Sequence, residues 1–214
     1  MALAGLILAG GAGKRWGGPK AWARLPDGRS FLEACAMTLR EAGASPVVAT
    51  LPHGSDDPHI AGLEVVVLPR EGLDMFASLL TGLESLLDNE SRHPFVVLPV
   101  DHPLVSPSTV VALAKADSAA AVPTFHRKHG HPVLLSRNAA EDIVNQRYGG
   151  STLRDVLGSL HPAAVPVDDP AVIANCNTPE ALASALRAVQ SRTETFTGRP
   201  ARPKTQNSKL KTQN

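Results

Sequence analysis

The 214-residue chain has a formal net charge of +1 and two cysteines, which suits one domain able to bury about 70% of its unfolded surface without disulfide or metal staples. No run approaches the ~18 apolar residues of a membrane span, the N-terminal apolar run is too short for a signal peptide, and Cys35 and Cys176 form no metal or disulfide framework, so a soluble, cytoplasmic protein is expected. Residues 191–214 hold six basic side chains against Glu194, leaving residues 1–190 at −4; a mildly acidic body argues against nucleic acid as a partner, because phosphate backbones are met by basic faces.

Leu3, Leu6, Ile7 and Leu8 are too continuously apolar for a half-exposed strand and predict a central one. The run stops in Gly10, Gly11 and Gly13, then supplies Lys14, Arg15 and Lys20. Glycines let backbone N–H groups approach a polyanion, and Arg15 and Lys20 add compensating charge, so this order reads as a strand feeding a phosphate loop. The plainer alternative is a glycine-rich turn. A P-loop is excluded because Leu8 stands where its first glycine belongs and Arg15 where its hydroxyl belongs. A dinucleotide fingerprint is excluded because Trp16 stands where a small residue is needed.

Leu8-Ala9-Gly10-Gly11-Ala12-Gly13-Lys14-Arg15, followed by Pro19-Lys20, resembles the signature of Rossmann-like nucleotidyltransferases. Within them the chain is most similar to the MobA/MocA-like family, the molybdenum cofactor cytidylyl- and guanylyltransferases. The resemblance implies an α/β fold, a Rossmann-like three-layer α/β/α sandwich with a mostly parallel sheet. It also implies that Leu8, Ala9, Gly10, Gly11, Gly13 and Lys20 bind nucleotide, and that Arg15 and Lys20 stabilise developing charge.

Downstream, Ser30 with Glu33 forms a capping-box pattern for a helix over Phe31–Glu41. Pro46–Thr50 and Val65–Leu68 read as strands, and strand, helix, strand implies parallel pairing. Gly72–Asp88 carries Met75, Leu79, Leu80, Leu83 and Leu87 at helical spacing. Ser78, near its start, either faces a ligand or belongs to an ordinary amphipathic helix; the segment from Glu71 to Ser78 resembles the family's cover over the nucleotide base.

Phe95–Val100 predicts a second buried strand, and Asp101 follows at its carboxyl end, where open α/β sheets bind ligands. Leu98-Pro99-Val100-Asp101-His102-Pro103-Leu104 resembles the family's metal-binding segment, which implies Asp101 as a ligand of Mg²⁺, a cation usually held by one or two carboxylates plus substrate phosphates. As local structure, Asp101 also suits a turn or cap before Pro103.

Pro107–Lys115 predicts a helix capped by Ser106 or Ser108, and Ala119–Pro123 a strand. The polar loop Thr124–Gly130 follows. His126, His129 and His131 lack cysteine or carboxylate neighbours at ligand spacing, which argues against zinc. Gly130-His131-Pro132-Val133 resembles a segment flanking the second substrate's pocket in the cytidylyltransferase branch, implying that Arg127, Lys128 and His131 offer positive or donor groups to a phosphorylated pterin.

Glu141–Gln146 continues as helix, the glycine break at 149–154 resembles a border of the acceptor site and implies Arg154 there, and Ala164–Val167 is the last strand. Asn175-Cys176-Asn177-Thr178-Pro179-Glu180 resembles the family's closing motif. It implies Asn177 as a second metal ligand, an uncharged amide where many cytidylyltransferases have aspartate; Thr178-Pro179 is equally a good helix start. Residues 191–214 lack periodicity and repeat Lys-Thr-Gln-Asn, so a disordered basic tail is expected beyond a nucleotidyltransferase domain spanning 1–190.

The expected reaction is Mg²⁺-dependent: the acceptor's phosphate attacks the α-phosphorus of a nucleoside triphosphate and pyrophosphate leaves. The longer acceptor-side matches point to CTP and molybdopterin, whereas Leu8 to Gly11 and the Leu-Pro-x-Asp segment resemble the guanylyltransferases and GTP. A sugar-phosphate nucleotidyltransferase, or a catalytically silent nucleotide- or cofactor-binding chaperone in transient contact with a molybdoenzyme, stays open.

Overall fold

The apolar run near the N-terminus becomes β1 (Leu3–Leu8), with all six residues buried. The computed structural model describes residues 2–11, 13, 16–88, 93–149 and 152–196, the last four by their backbone only. Seven further strands follow: β2 (Ala44–Leu51), β3 (Glu64–Val67), β4 (Phe95–Pro99), β5 (Ala120–Phe125), β6 (Lys128–His129), β7 (Val133–Leu135) and β8 (Ala163–Pro166). They form one sheet in the order β3-β2-β1-β4-β7-β5-β6, with β8 paired to β5. Pairing is parallel from β3 through β4 and between β5 and β8, while β7 runs antiparallel to both β4 and β5, and β6 antiparallel to β5.

The helices are α1 (Phe31–Glu41), α2 (Met75–Leu87), α3 (Pro107–Ala114), α4 (Arg137–Val144), α5 (Leu153–Leu160) and α6 (Pro179–Phe196). Strand alternation divides the core between two layers. Leu3 and Ile7 of β1, with Val96 and Leu98 of β4, pack against Phe31, Leu32 and Leu39 of α1 and Val110 of α3. Leu6 and Leu8, with Phe95 and Val97, pack on Leu79, Leu83 and Leu86 of α2 and Ile143 of α4. Each fully buried Leu or Phe is worth about 1.5–3 kcal/mol of transfer free energy, so the two faces hold β1 at the centre of three layers, as expected.

Local chemistry sets the helix starts. Ser30 Oγ accepts from the Glu33 N–H at 3.1 Å, and the Glu33 carboxylate accepts from the Ser30 N–H at 2.5 Å. Three differences from the expected elements appear, the first two set by a cap and by strand pairing. Ser136 caps α4, its hydroxyl accepting from the Ala139 N–H at 3.2 Å, so the helix starts at Arg137 and not at Glu141. Lys128 and His129 pair with Thr124 and Phe125, turning the expected loop into a short hairpin. Helix α6 runs to Phe196, past the boundary drawn at 190; the remainder of the expected tail, residues 197–214, lies outside the described residues. Among the described residues no helix is long and apolar enough to cross a membrane.

Candidate active site

Parallel pairing of β1 with β4 sets Leu8 beside Pro99, and the Val100 N–H donates to the Leu8 carbonyl at 3.1 Å. The two chains therefore leave the sheet side by side, one into Gly10 and Gly11, the other into Asp101. The chain after β1 goes on to β2 on one flank while β4 lies on the other, the arrangement that opens a crevice at the carboxyl ends of the strands.

The glycine loop is shaped by two close approaches. A Cβ at Gly10 would lie 2.5 Å from Leu68 Cδ1 and 2.7 Å from Ser78 Oγ, so glycine lets the Leu68 and Ser78 side chains pack directly on the loop. Gly13 has φ +58°, and a Cβ there would lie 1.9 Å from the Gly18 carbonyl oxygen. The loop thus folds back on itself and delivers Lys20 into a 3-10 turn, Lys20–Trp22. Trp16 anchors the loop: its indole N–H donates to the Cys176 carbonyl at 3.1 Å and its ring meets Phe31 edge-on at 5.4 Å.

The Lys20 ammonium donates to Asp101 Oδ2 at 2.9 Å and to Asn177 Oδ1. Three segments separated by 81 and 157 residues thus meet at one nitrogen. The Asp101 side chain is only 9% exposed, and a carboxylate so withdrawn from water requires a compensating cation. Backbone bonding fixes the oxygens, since the Cys176 N–H donates to the Asp101 carbonyl at 2.8 Å.

On the other side of Asp101 stands His102, with Nε2 3.9 Å from Oδ1 and Nδ1 3.3 Å from the Ala171 carbonyl. A carbonyl only accepts, so we assign the hydrogen to Nδ1. Burial lowers the His102 pKa, opposed by Asp101. His131 packs against it with ring centroids 4.8 Å apart and the planes tilted by 56°, and burial, reinforced by His102, pushes its pKa down to about 4. Of the positive or donor groups expected of Arg127, Lys128 and His131, His131 supplies no charge near pH 7, and its buried Nδ1 has no hydrogen-bond partner among the described residues.

This burial has a measurable consequence. An unfolded imidazole takes up its proton near its ordinary 6.5, the folded one only near 4. Between those values the unfolded state binds more protons, so stability is lost as pH falls from about 6.5 towards 4, by on the order of 2 kcal/mol. Urea unfolding near neutrality and at about pH 4.5 is expected to show a smaller acid loss for His131→Phe than for the wild type.

Two cavities adjoin here, the smaller of them lined by the Lys20–Asp101 pair. One, of about 280 Å³, is walled by Leu8, Gly10, Gly11, Lys20, Ser78 and Asp101 among others. The other, of about 1230 Å³, shares Leu8, Asp74, Met75 and Pro99 with it and extends past His102, His131, Lys128 and Arg154. Together they exceed the volume of an ordinary small-molecule site, about 300–1,000 Å³.

The expected residues are thus only partly assembled. Leu8, Gly10, Gly11, Lys20, Ser78 and Asp101 share the smaller cavity, with Asn177 on Lys20; His131 and Arg154 line the larger one. Ala9 departs: its side chain enters the core and its N–H donates to the Thr50 carbonyl at 3.1 Å. Ser78 is in the wall, but its hydroxyl donates to the Asp74 carbonyl at 3.0 Å, one helical turn back. Arg127, at φ +65°, sits exposed on the β5–β6 turn outside the cavity wall, where Lys128 and His129 stand instead. Arg15 lies outside the described residues.

Sequence reasoning had not marked Asp74, His102 or Trp16. Asp74 caps α2, its carboxylate accepting from the Ala77 N–H at 2.8 Å, and lines both cavities. An aspartate before an apolar helical run is a legible cap signal; His102 carries no such local signal.

The model of the MobA-like NTP transferase domain matches residues 5–165. The chain belongs to that family. It is a nucleotidyltransferase, with the Rossmann-like fold. The molybdenum cofactor guanylyltransferase of Rhodobacter capsulatus is 34% identical over 200 residues, covering 86% of this chain and 95% of its own length. That of Cupriavidus metallidurans is 28% identical, covering 82% and 90%. Among solved structures, the Rv0371c homologue from Mycobacterium sp. strain JC1 superposes with a TM-score of 0.70 at 23% identity, covering 87% of this chain and 98% of its own.

Proposed function

We propose that this member of the family is a molybdenum cofactor guanylyltransferase, transferring GMP from GTP to molybdopterin with release of pyrophosphate. The observation that carries it is the meeting of Lys20, Asp101 and Asn177 beside the glycine loop. GTP displaces the CTP suggested by the acceptor-side segments because the relatives alike over nearly their whole length are guanylyltransferases, in agreement with Leu8 to Gly11.

The donor set fits a divalent cation. Asp101 and Asn177 aim two oxygens at one point, and that point already holds positive charge, the Lys20 ammonium. Mg²⁺ prefers oxygen donors and completes its shell with water and substrate phosphates; it does not need a cluster of three or more His, Cys, Asp or Glu, and none occurs among the described residues. When bound, the cation would neutralise charge on the triphosphate.

In this reading the backbone of Gly10 and Gly11 lies along the triphosphate, with Gly13 shaping the loop and Arg15 adding charge. Lys20 reaches the phosphates of the leaving group, and Ser78 packs α2 against Gly10 beneath the nucleotide. Lys128 and Arg154 hold the acceptor's phosphate, with Arg127 contributing only at the rim. Neutral His131 shapes the wall of the larger cavity on the acceptor's side. The acceptor's phosphate oxygen attacks the α-phosphorus, the bond to the bridging oxygen breaks, and pyrophosphate carries away the electron pair. The chain's contribution is positioning and charge neutralisation. A cytoplasmic setting belongs to the same reading, since the buried thiols of Cys35 and Cys176 are free and persist reduced there; so does transient delivery of product to a molybdoenzyme.

Pyrophosphate release with GTP, CTP, ATP and UTP, each with molybdopterin, tests the proposal. Release is expected with GTP. A preference for CTP would move the enzyme to the cytidylyl branch, turnover only with a sugar phosphate would replace the acceptor, and no release with any triphosphate would leave a nucleotide-binding chaperone.

A further inference from the structure

We infer that Lys20 and a divalent cation compete for the same pair of oxygens, so that the cation enters with the nucleoside triphosphate and not ahead of it. The inference rests on the nucleotidyl transfer proposed above. Lys20 Nζ lies 2.9 Å from Asp101 Oδ2 and also donates to Asn177 Oδ1, the two atoms that suit a cation. Lysine presents a compact, strongly hydrated point charge on an unbranched stem. Two cations cannot share that position, because charges a few ångströms apart in a poorly hydrated site repel strongly.

The oxygens are the fixed part of the device. The Cys176 N–H bond to the Asp101 carbonyl ties the two segments together, and Trp16 holds Cys176 through its carbonyl. Lys20 is the movable part, its side chain 23% exposed against 9% for Asp101. Without a substitute, Lys20 stays, since its departure would leave a withdrawn carboxylate unpaired. A triphosphate supplies the reason to move: Gly10, Gly11, Lys20 and Asp101 line one cavity, so phosphates lying along the glycine loop come within reach of the ammonium. Lys20 turns to them, both oxygens are released, and the cation fills the place. Linkage then requires each ligand to raise the affinity for the other by the same factor.

Mn²⁺ replaces Mg²⁺ in the test, because its free-ion electron paramagnetic resonance signal reports binding without turnover. Full-length wild type, Lys20→Met and Lys20→Gln are titrated with Mn²⁺, alone and with GTP at protein excess, no acceptor being present, and the Mn²⁺ that GTP holds in protein-free solution is subtracted. Lys20→Gln keeps a neutral donor beside Asp101, in case Lys20→Met folds poorly. Without nucleotide, both variants are expected to bind Mn²⁺ about tenfold more tightly than the wild type, within the usual range of coupling between sites. GTP is expected to raise the wild-type affinity by more than that of the variants, and adding Asp101→Asn to Lys20→Gln is expected to remove the tight site.

Equal Mn²⁺ affinity of wild type and both variants without nucleotide overturns the competition and leaves the proposed function standing. Tight binding that survives Asp101→Asn overturns it also, by placing the ion elsewhere. Failure of GTP to recruit Mn²⁺ to the wild type strikes the metal-dependent transfer itself.

Discussion

Asp101→Asn is expected to lower kcat for pyrophosphate release by about 10²–10³-fold, the usual cost of removing one charge-stabilising group from a transition state. The substitution keeps the shape of the side chain and an oxygen for Lys20, so what is lost is the negative charge that draws a cation to the triphosphate. Stability is expected to change little, by about 1 kcal/mol, because Lys20 is partly exposed and can turn to water. The two readouts therefore separate: kcat at saturating GTP and metal falls, while the urea midpoint stays nearly in place. Below saturating metal the loss is larger still, and raising the metal concentration recovers only that additional part, since a weakened site is refilled by mass action. An unchanged kcat would remove Asp101 from the machinery.

What the sequence made legible here was local. β1 announces itself as a continuous apolar run, and α1 by a capping box whose two bonds depend on residues three apart. Asp101 was readable because a carboxylate directly after a buried strand must emerge at the sheet's carboxyl edge. The contact between Lys20 and Asn177 was not readable as a contact: it spans 157 residues and depends on how α6 returns to the strand ends.

Other misses turn on facing and burial. In a short strand, successive side chains point to opposite faces, and the hairpin pairing of Thr124 with His129 and Phe125 with Lys128 leaves Arg127 on the turn. A one-residue change in hairpin register would have reversed that assignment. His131 was expected to bring donors or charge; its neutrality is a property of surroundings, burial and the neighbouring His102, that no local pattern carries. Ser78 looked free to meet a ligand, yet a hydroxyl inside a helix readily bonds the carbonyl one turn back.

Gly13→Ala is the second substitution expected to have a large effect, about 10²-fold in kcat/KM for GTP with little loss of stability. Left-handed backbone costs a residue with a Cβ roughly 1–2 kcal/mol, but the larger obstacle is steric. The new Cβ would lie 1.9 Å from the Gly18 carbonyl oxygen and 2.8 Å from the Lys20 backbone nitrogen. Neither neighbour is a side chain that can rotate aside, so the loop must open. Opening strains the turn in which the Trp16 N–H donates to the Gly13 carbonyl at 2.8 Å, and moves the residue that carries the ammonium. A displacement of ~1 Å at a positioning group is enough for a loss of about 10². The effect on stability is small because β1 and the helices on its two faces lie outside the loop, which meets the core through Trp16 on Phe31. Gly18→Ala is the matched control: its Cβ meets nothing within 4 Å and its φ lies outside the left-handed region, so it is expected to keep most of the activity. Equal rates for the two variants would show that the loop's closure does not position Lys20; a loss confined to Gly13→Ala would make the return of the loop, more than the presence of glycine as such, the structural condition for the reaction.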